Sequence, residues 1–113
     1  MMEFDVCNLI DRTSAERSRD FCAWVAACAR NRERMQEIGE AAAAVAYQIS
    51  LGGTGSAEMW MCVDSDEGCV RLQELLRPWA RGVAWRSAAN GKNVCYADFS
   101  DDLIVWIRVE EFE

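Results

Sequence analysis

The sequence predicts an α+β protein in which helices cover one face of a mainly antiparallel, four-stranded sheet. Two patterns predict this class: apolar residues recur at helical spacing in the first half, and apolar and polar residues alternate in the second half, as they do in strands. The chain has 113 residues, of which 51% are hydrophobic, which suits a single domain spanning residues 1–113. The expected architecture is therefore a two-layer sandwich, with an N-terminal helical region followed by β-α-β-β-β.

The N-terminal residues carry a short alternation and then a helix-start signal. The first eleven residues, which include Phe4 and Val6, are interpreted as a strand or an arm. Residues 13–16, Thr-Ser-Ala-Glu, match a capping box, in which the Thr hydroxyl and the Glu carboxylate each accept from a free backbone N–H. A helix is therefore expected to begin there.

The apolar residues that follow recur at nearly 3.6-residue spacing as far as Ile49. An unbroken helix over residues 14–51 would be much longer than the ~8 to 20 residues usual in globular domains. A break near Asn31 or near Gly39 is therefore predicted, which would divide the segment into two helices.

The glycine-rich residues 51–56, Leu-Gly-Gly-Thr-Gly-Ser, are interpreted as a helix stop and a flexible connection. Phosphate-binding loops lead from a strand into a helix, and the Walker motif also requires a Gly-Lys-Ser/Thr end. Here the predicted order is helix before strand and the segment has no lysine. Phosphate binding is therefore not expected.

The second half is predicted to contain a strand, a helix and a three-stranded meander. In the first strand the alternation separates Glu58, Trp60 and Cys62 from Met59, Met61 and Val63. Residues 64–67, Asp-Ser-Asp-Glu, favour a helix start, and Pro78 and Gly82 are expected to end that helix. Its expected apolar side consists of Val70, Leu72, Leu75, Leu76 and Trp79. The meander strands are predicted at residues 83–88, 93–99 and 103–111, with turns at Asn90-Gly91 and at residues 100–102.

The charge of the chain favours a basic partner. Nineteen acidic and twelve basic residues, with no histidine, give a net charge of -7. A negative field repels phosphate backbones and anionic membranes and accelerates encounter with positive surfaces. The longest uncharged stretch is too polar to span a bilayer, and the N-terminus lacks the basic and apolar segments of a secretion signal. We therefore expect a cytoplasmic protein that binds neither nucleic acid directly nor membranes.

The basic residues are unevenly distributed. Residues 12–34 contain six arginines and three acids, whereas the rest of the chain is strongly acidic. This bipolar distribution would allow self-association, for instance as a homodimer, although a solvated helix face explains it more simply.

The six cysteines are expected to be free thiols that behave as small buried apolar groups, because no export signal precedes them. No pair has C-x-x-C spacing, so neither a metal site nor a cofactor is predicted. Cys69, in the first turn of the predicted helix, is the best thiol nucleophile, but three nearby acids oppose thiolate formation. No catalytic residue is therefore assigned, and the chain is not expected to be an enzyme.

The last strand carries the candidate interaction site. Its alternation places Leu103, Val105, Ile107 and Val109 on the expected core face. If helices cover only that face, Trp106 on the other is exposed, beside Arg108 and several acids, and tryptophan and arginine are enriched at interface hot spots. The alternative is that the N-terminal helices or a second subunit cover this face. The predicted partner-binding residues are Trp106, Arg108, Glu110, Glu111, Glu113, Asp98, Asp101 and Asp102.

The leading hypothesis is a non-enzymatic acidic binding protein that inhibits or neutralises a basic partner, such as a nucleic-acid-processing enzyme with a positively charged channel. Phage anti-defence proteins of the anti-CRISPR kind and toxin-immunity proteins act in this way, and the analogy rests on charge and size alone. One alternative is a self-associating adaptor or structural domain. Another is a small enzyme or small-molecule binder that uses a carboxylate or a thiol.

Overall fold

The computed structural model describes residues 3–15, 22–53, 55–80, 85–87 and 94–110. The predicted α+β class, with helices first, is confirmed. The helices within this part are α1 (Val6–Ala15), α2 (Cys22–Ala42) and α3 (Asp66–Leu75). The strands are β1 (Gln48–Gly52), β2 (Ala57–Val63), β3 (Arg86–Ser87), β4 (Val94–Ser100) and β5 (Leu103–Val109).

Within the described residues, the strands form a five-stranded sheet in the order β1-β2-β5-β4-β3. β2 and β5 run parallel at its centre, whereas the other neighbouring strands are antiparallel. The sheet is thus mixed and has one strand more than the mainly antiparallel, four-stranded sheet that the sequence predicted. The additional strand is β1, which pairs with one edge of β2 as an antiparallel hairpin. The sheet is mixed because the chain brings β5 to the other edge of β2 in the parallel direction.

The N-terminal segment is helical where a strand or an arm was expected. α1 begins at Val6, and the Asp5 carboxylate accepts a hydrogen bond from the Asn8 backbone N–H at 3.2 Å, as an N-cap does. Thr13 lies in the last turn of this helix, and its hydroxyl donates to the Leu9 carbonyl at 2.8 Å. The prediction that Thr13 caps the start of a helix was therefore wrong, and Glu16, its expected capping-box partner, lies outside the described residues.

The predicted helix break is absent from α2, which continues through Asn31 and Gly39. The Asn31 side chain donates to the Ala27 carbonyl one turn earlier at 2.8 Å, so it does not interrupt the helix. Gly39 is buried beneath the Phe4 ring, which occupies the space that a Cβ would need. The lack of a side chain at Gly39 therefore allows the N-terminal segment to pack closely on α2, and Gly39 does not stop the helix.

The helix ends at Ala42, and Ile49 belongs to β1, so the prediction of helix as far as residue 51 was wrong. Helical and strand spacing are hard to separate in this alanine-rich stretch, and the pairing with β2 decides the outcome. The glycine-rich residues consequently connect two strands. Gly53 adopts a φ of 95°, which glycine reaches without strain.

The second half largely follows the prediction. Ser65 is the N-cap of α3, and its hydroxyl accepts from the Gly68 backbone N–H at 3.0 Å. Leu72 and Leu76 are buried as expected, whereas Val70 is 56% exposed. β4 and β5 match the last two predicted strands, and β3 falls within the first. The predicted Asn90-Gly91 turn lies outside the described residues.

The core lies between the helices and one face of the sheet, which confirms the face predicted for the last strand. α2 contributes Trp24, Met35 and Ile38, each fully buried. The sheet contributes alternate residues of its two parallel central strands: Ala57, Met59, Met61, Val63, Leu103, Val105, Ile107 and Val109. None of the helices in the described ranges is both long and apolar enough to cross a membrane.

Candidate functional site

The sheet face that points away from the core is the candidate functional site and is called the open face below. On the central strands the core-facing side chains are buried, whereas those of the open face are mostly half-buried or exposed, apart from Cys62 at 8% exposure. Strand alternation and register assign thirteen of the described residues to it: Gln48, Ser50, Gly52, Glu58, Trp60, Cys62, Arg86, Val94, Tyr96, Asp98, Ile104, Trp106 and Arg108.

Strand register places one row of side chains directly across all five strands. From β3 to β1 this row consists of Arg86, Tyr96, Trp106, Trp60 and Ser50, each paired with the next. Directly paired residues on neighbouring strands have side chains close enough to interact. The centre of the row is consequently a set of three adjacent aromatic rings.

The three rings form a continuous stack. Trp60 and Trp106 have ring centroids 4.5 Å apart and planes inclined by only 2°. Tyr96 packs on the other side of Trp106, at 4.7 Å and 32°. The Arg108 guanidinium carbon lies 5.3 Å from the Trp60 ring centre, within the range of a cation–π interaction. The result is a broad aromatic surface at the middle of the open face.

Carboxylates hold the edges of this surface. The Trp106 indole N–H donates to Glu58 Oε1 at 2.6 Å, which fixes the orientation of the ring. Glu110, just beyond β5, accepts from the Tyr47 hydroxyl at 2.7 Å and from Arg108 Nη1 at 3.4 Å. The Tyr47 hydrogen bond, supported by Arg108, lowers the pKa of Glu110, so that carboxylate is ionised at neutral pH.

The same contacts influence two other titratable groups nearby. The hydrogen bond to Glu110 raises the pKa of Tyr47 to about 12, so its phenol remains a donor at physiological pH. Burial, followed by the negative charge of Glu110, raises the pKa of the Cys62 thiol, and Arg108 and Tyr47 oppose the shift. Cys62 is therefore a neutral group of this face.

Four of the predicted partner-binding residues lie on or beside the open face. Trp106 and Arg108 belong to the aromatic stack, Glu110 adjoins it, and Asp98 is exposed in the row next to it, opposite Ile104. The predicted juxtaposition of a tryptophan, an arginine and acids is therefore present. Glu111 and Glu113 lie outside the described residues.

Asp101 and Asp102 lie elsewhere, in the turn between β4 and β5. Asp101 is exposed, whereas Asp102 accepts from Asn31 Nδ2 and from Arg30 Nε, both at 2.7 Å. These two donors, with Asn31 the larger cause, lower the pKa of Asp102. The turn is thereby tied to α2 on the helix side, and the Asp102 carboxylate serves an internal contact.

The sequence-based site omitted Trp60, Tyr96 and Glu58. Alternation had already placed Trp60 and Glu58 on one face of a strand, and the structure shows that this face is the open face. What was missing was the register that brings Trp60 beside Trp106, because a parallel pairing between β2 and β5 has no local sequence signal. A tryptophan on the polar side of each strand was the usable clue.

A second concave region lies on the helix side and is bounded by the Asp102 turn. Its volume is about 840 Å³. Several of its polar side chains bond within the protein: Arg34 Nη1 donates to the Phe99 carbonyl at 2.8 Å, and the Trp79 indole N–H donates to Glu37 at 2.9 Å. Across the described residues, no cluster of three or more metal-ligating side chains is present. The arrangement joins α2 to the sheet.

Comparisons with known proteins identify no relative: no family model matches the chain, and no curated protein or solved structure is significantly similar to it.

Proposed function

We propose that this chain is a non-enzymatic binding protein whose open face takes up the positively charged surface of a protein partner and so inhibits that partner. The observation that carries the proposal is the stack of Tyr96, Trp106 and Trp60 at the middle of the open face, bordered by carboxylates. A nucleic-acid-processing enzyme, with its basic channel, is the class of partner that fits this chemistry.

The aromatic stack supports a recognition role because the outward face of an antiparallel or mixed sheet usually carries polar side chains. Tryptophan and tyrosine offer large contact areas at a small cost in side-chain entropy, and they dominate binding hot spots. The hydrogen bond from Trp106 to Glu58 and the packing of Arg108 on Trp60 hold the rings before any partner arrives. Such preorganisation reduces the entropy lost on binding.

The charge of the chain supports a basic partner. Arginine and lysine side chains donate their N–H groups to carboxylates, and carboxylates border the ring stack of the open face. The open face offers Glu58 beside Trp106, Asp98 in the neighbouring row and Glu110 beyond Arg108. With a net charge of -7, the same surface disfavours phosphate-bearing molecules.

The proposal is tested with Trp106→Ala and a matched control, Trp79→Ala. Both wild-type indoles donate to a carboxylate, Trp106 to Glu58 on the open face and Trp79 to Glu37 of α2 on the helix side. Binding of a labelled oligoarginine peptide is measured by fluorescence anisotropy, with oligoglutamate as the charge control. We expect the wild type and Trp79→Ala to bind oligoarginine, and Trp106→Ala to lose at least tenfold in affinity.

The partner class is tested by affinity capture from a cell lysate with the same three proteins, followed by quantitative mass spectrometry. Basic proteins should be enriched on the wild type and on Trp79→Ala, lost on Trp106→Ala, and released as ionic strength rises. Equal retention on Trp106→Ala, or retention that salt leaves unchanged, would contradict the proposal. A wild-type dimer that Trp106→Ala converts to a monomer would instead assign the open face to self-association.

A further inference from the structure

The fold brings two cysteines from distant parts of the sequence into contact. The Sγ atoms of Cys69, in the first half of α3, and Cys95, in β4, lie 3.8 Å apart although 26 positions separate them in the chain. Both side chains are half-buried, and the Gln73 side-chain amide points at both sulfurs, 3.6 Å from Cys69 and 3.5 Å from Cys95. The pair lies on the helix side of the sheet and takes no part in the open face.

The surroundings of the two thiols make them chemically unequal. A hydrogen bond from Cys95 lowers the pKa of Cys69 to about 7, with a further contribution from the Gln73 amide and opposition from burial and from Asp66. The same hydrogen bond, followed by burial, raises the pKa of Cys95. One thiolate, at Cys69, is therefore available near neutral pH while Cys95 keeps its proton. A position near a helix N-terminus favours the same assignment.

We propose that Cys69 and Cys95 are a redox-active dithiol, which a small-molecule disulfide such as oxidised glutathione converts reversibly into an intramolecular disulfide. The Cys69 thiolate attacks one sulfur of the oxidant, forms a mixed disulfide and releases one thiolate. Cys95 then passes its proton to the thiolate released first, attacks Cys69 Sγ and releases the second thiolate, which takes up from solvent the proton that Cys69 lost earlier. Overall, two protein thiols are oxidised by two electrons, and one oxidant disulfide is reduced to two thiols.

The geometry makes the second step short. A disulfide bond is about 2.05 Å long, so the sulfurs need to approach by less than about 2 Å, which side-chain rotation can supply. The bond would connect α3 to β4 and close a long loop, which restricts the unfolded chain and stabilises the folded one. This inference goes beyond the proposed function and does not depend on it, since Cys69 and Cys95 lie behind the sheet.

The first test uses the wild-type protein. The protein is equilibrated with mixtures of oxidised and reduced glutathione, remaining thiols are alkylated, and proteolytic peptides are mapped by mass spectrometry. We expect a cross-linked peptide joining Cys69 and Cys95, whose amount rises with the oxidised fraction and disappears on reduction. Absence of that peptide at every ratio, or glutathione that remains on either cysteine without a bridge, would overturn the proposal.

The order of the two steps is tested with serine variants. Cys95→Ser should accumulate the glutathione mixed disulfide at Cys69. Cys69→Ser should be modified at Cys95 more slowly, because burial still raises the pKa of Cys95 when the Cys69 thiol is absent. Cys7→Ser, which removes an exposed free thiol elsewhere, should form the bridge as the wild type does. Oxidation should raise the melting temperature of the wild type by roughly 5 to 10 °C. It should leave the melting temperatures of Cys69→Ser and Cys95→Ser unchanged, because neither variant can form the bridge. Equal modification of Cys69 and Cys95 in the two variants would contradict the assigned order.

Discussion

Trp60 and Trp106 stack face to face on neighbouring parallel strands, with ring centroids 4.5 Å apart and planes within 2°. Each ring is flanked by a further partner, Arg108 over Trp60 and Tyr96 beside Trp106. Both tryptophans are only half-buried, so their stacking orders a surface that a partner can reach. The pair therefore stabilises the two central strands and also forms part of the surface that is proposed to bind a partner.

Neighbouring residues of β5 should separate binding from stability. Ile107 is fully buried in the core, so Ile107→Ala should lower the free energy of unfolding by about 2 to 5 kcal/mol. Trp106→Ala should lower it less, because removal of a half-buried side chain at the surface leaves no closed cavity. Urea unfolding and oligoarginine binding are measured on both variants. If Trp106→Ala is as destabilising as Ile107→Ala and still binds, the indole is a core group and the site assignment fails.

The link between α2 and the β4–β5 turn should depend on Asn31 more than on Arg30. Asn31 is 6% exposed; it donates to Asp102 and accepts from the Ser100 hydroxyl, so Asn31→Ala should cost about 1 to 3 kcal/mol of unfolding free energy. The Arg30 side chain is 62% exposed, and Arg30→Ala should cost about 0 to 1 kcal/mol despite its 2.6 Å contact with Asp102. Denaturant unfolding measures both values. A reversed order would show that the ion pair, and not the buried amide, holds the turn.

Gly39→Ala should destabilise the protein, although alanine is the better helix former. At an unobstructed helix position this change stabilises by about 1 kcal/mol. Here the new methyl group would meet the Phe4 ring, which must then leave its place on α2. In a Phe4→Ala background the same change should become stabilising. Thermal unfolding of the four proteins of this double-mutant cycle measures the effect, and a stabilising Gly39→Ala in the wild-type background would show that Phe4 does not occupy this position.

Acid stability should depend on Asp102, whose pKa in the folded protein lies below its ordinary value of 3.8. A carboxyl with a depressed folded-state pKa stabilises fully above its unfolded-state pKa and loses that contribution as the pH falls through the folded-state value. The melting temperature of Asp102→Asn should therefore lie below that of the wild type near pH 6, and the gap should close as the pH falls below 3.8 and through the lower folded-state pKa. Asp101→Asn, in the same turn, is the control. A gap that is constant with pH would point to lost hydrogen bonds alone.

The free protein should bind neither DNA nor RNA at physiological salt. Its net charge of -7 opposes the counterion release that drives such binding, and its aromatic surface is bordered by carboxylates. Electrophoretic mobility shift and fluorescence anisotropy with labelled duplex and single strands measure this directly. Micromolar binding to either form would argue against the acidic-inhibitor proposal, because the open face would then serve as a base-stacking surface.

The sequence correctly predicted those elements whose local pattern fits only one kind of secondary structure. The alternation of β2 and β5 separated the core face from the open face, and residues 64–67 were predicted to start α3, whose N-cap is Ser65. The predictions from the capping pattern at Thr13 and from the helical spacing up to Ile49 were wrong, because each pattern also fits another structure. Asp5 caps α1 instead, and residues 48–52 form a strand that pairs with β2.

The sequence by itself determined the α+β class, the acidic charge and which side of the last strand faces the core, because these properties depend on composition and on spacing within a single element. Only the tertiary structure decided that Trp60 meets Trp106, that Cys69 meets Cys95 and that Asp102 bonds to α2. Each of these contacts joins distant parts of the chain through a strand register or a helix placement that has no local signal. Such contacts form only when burial of the whole core selects one packing, and the surfaces proposed here to bind and to react depend on them.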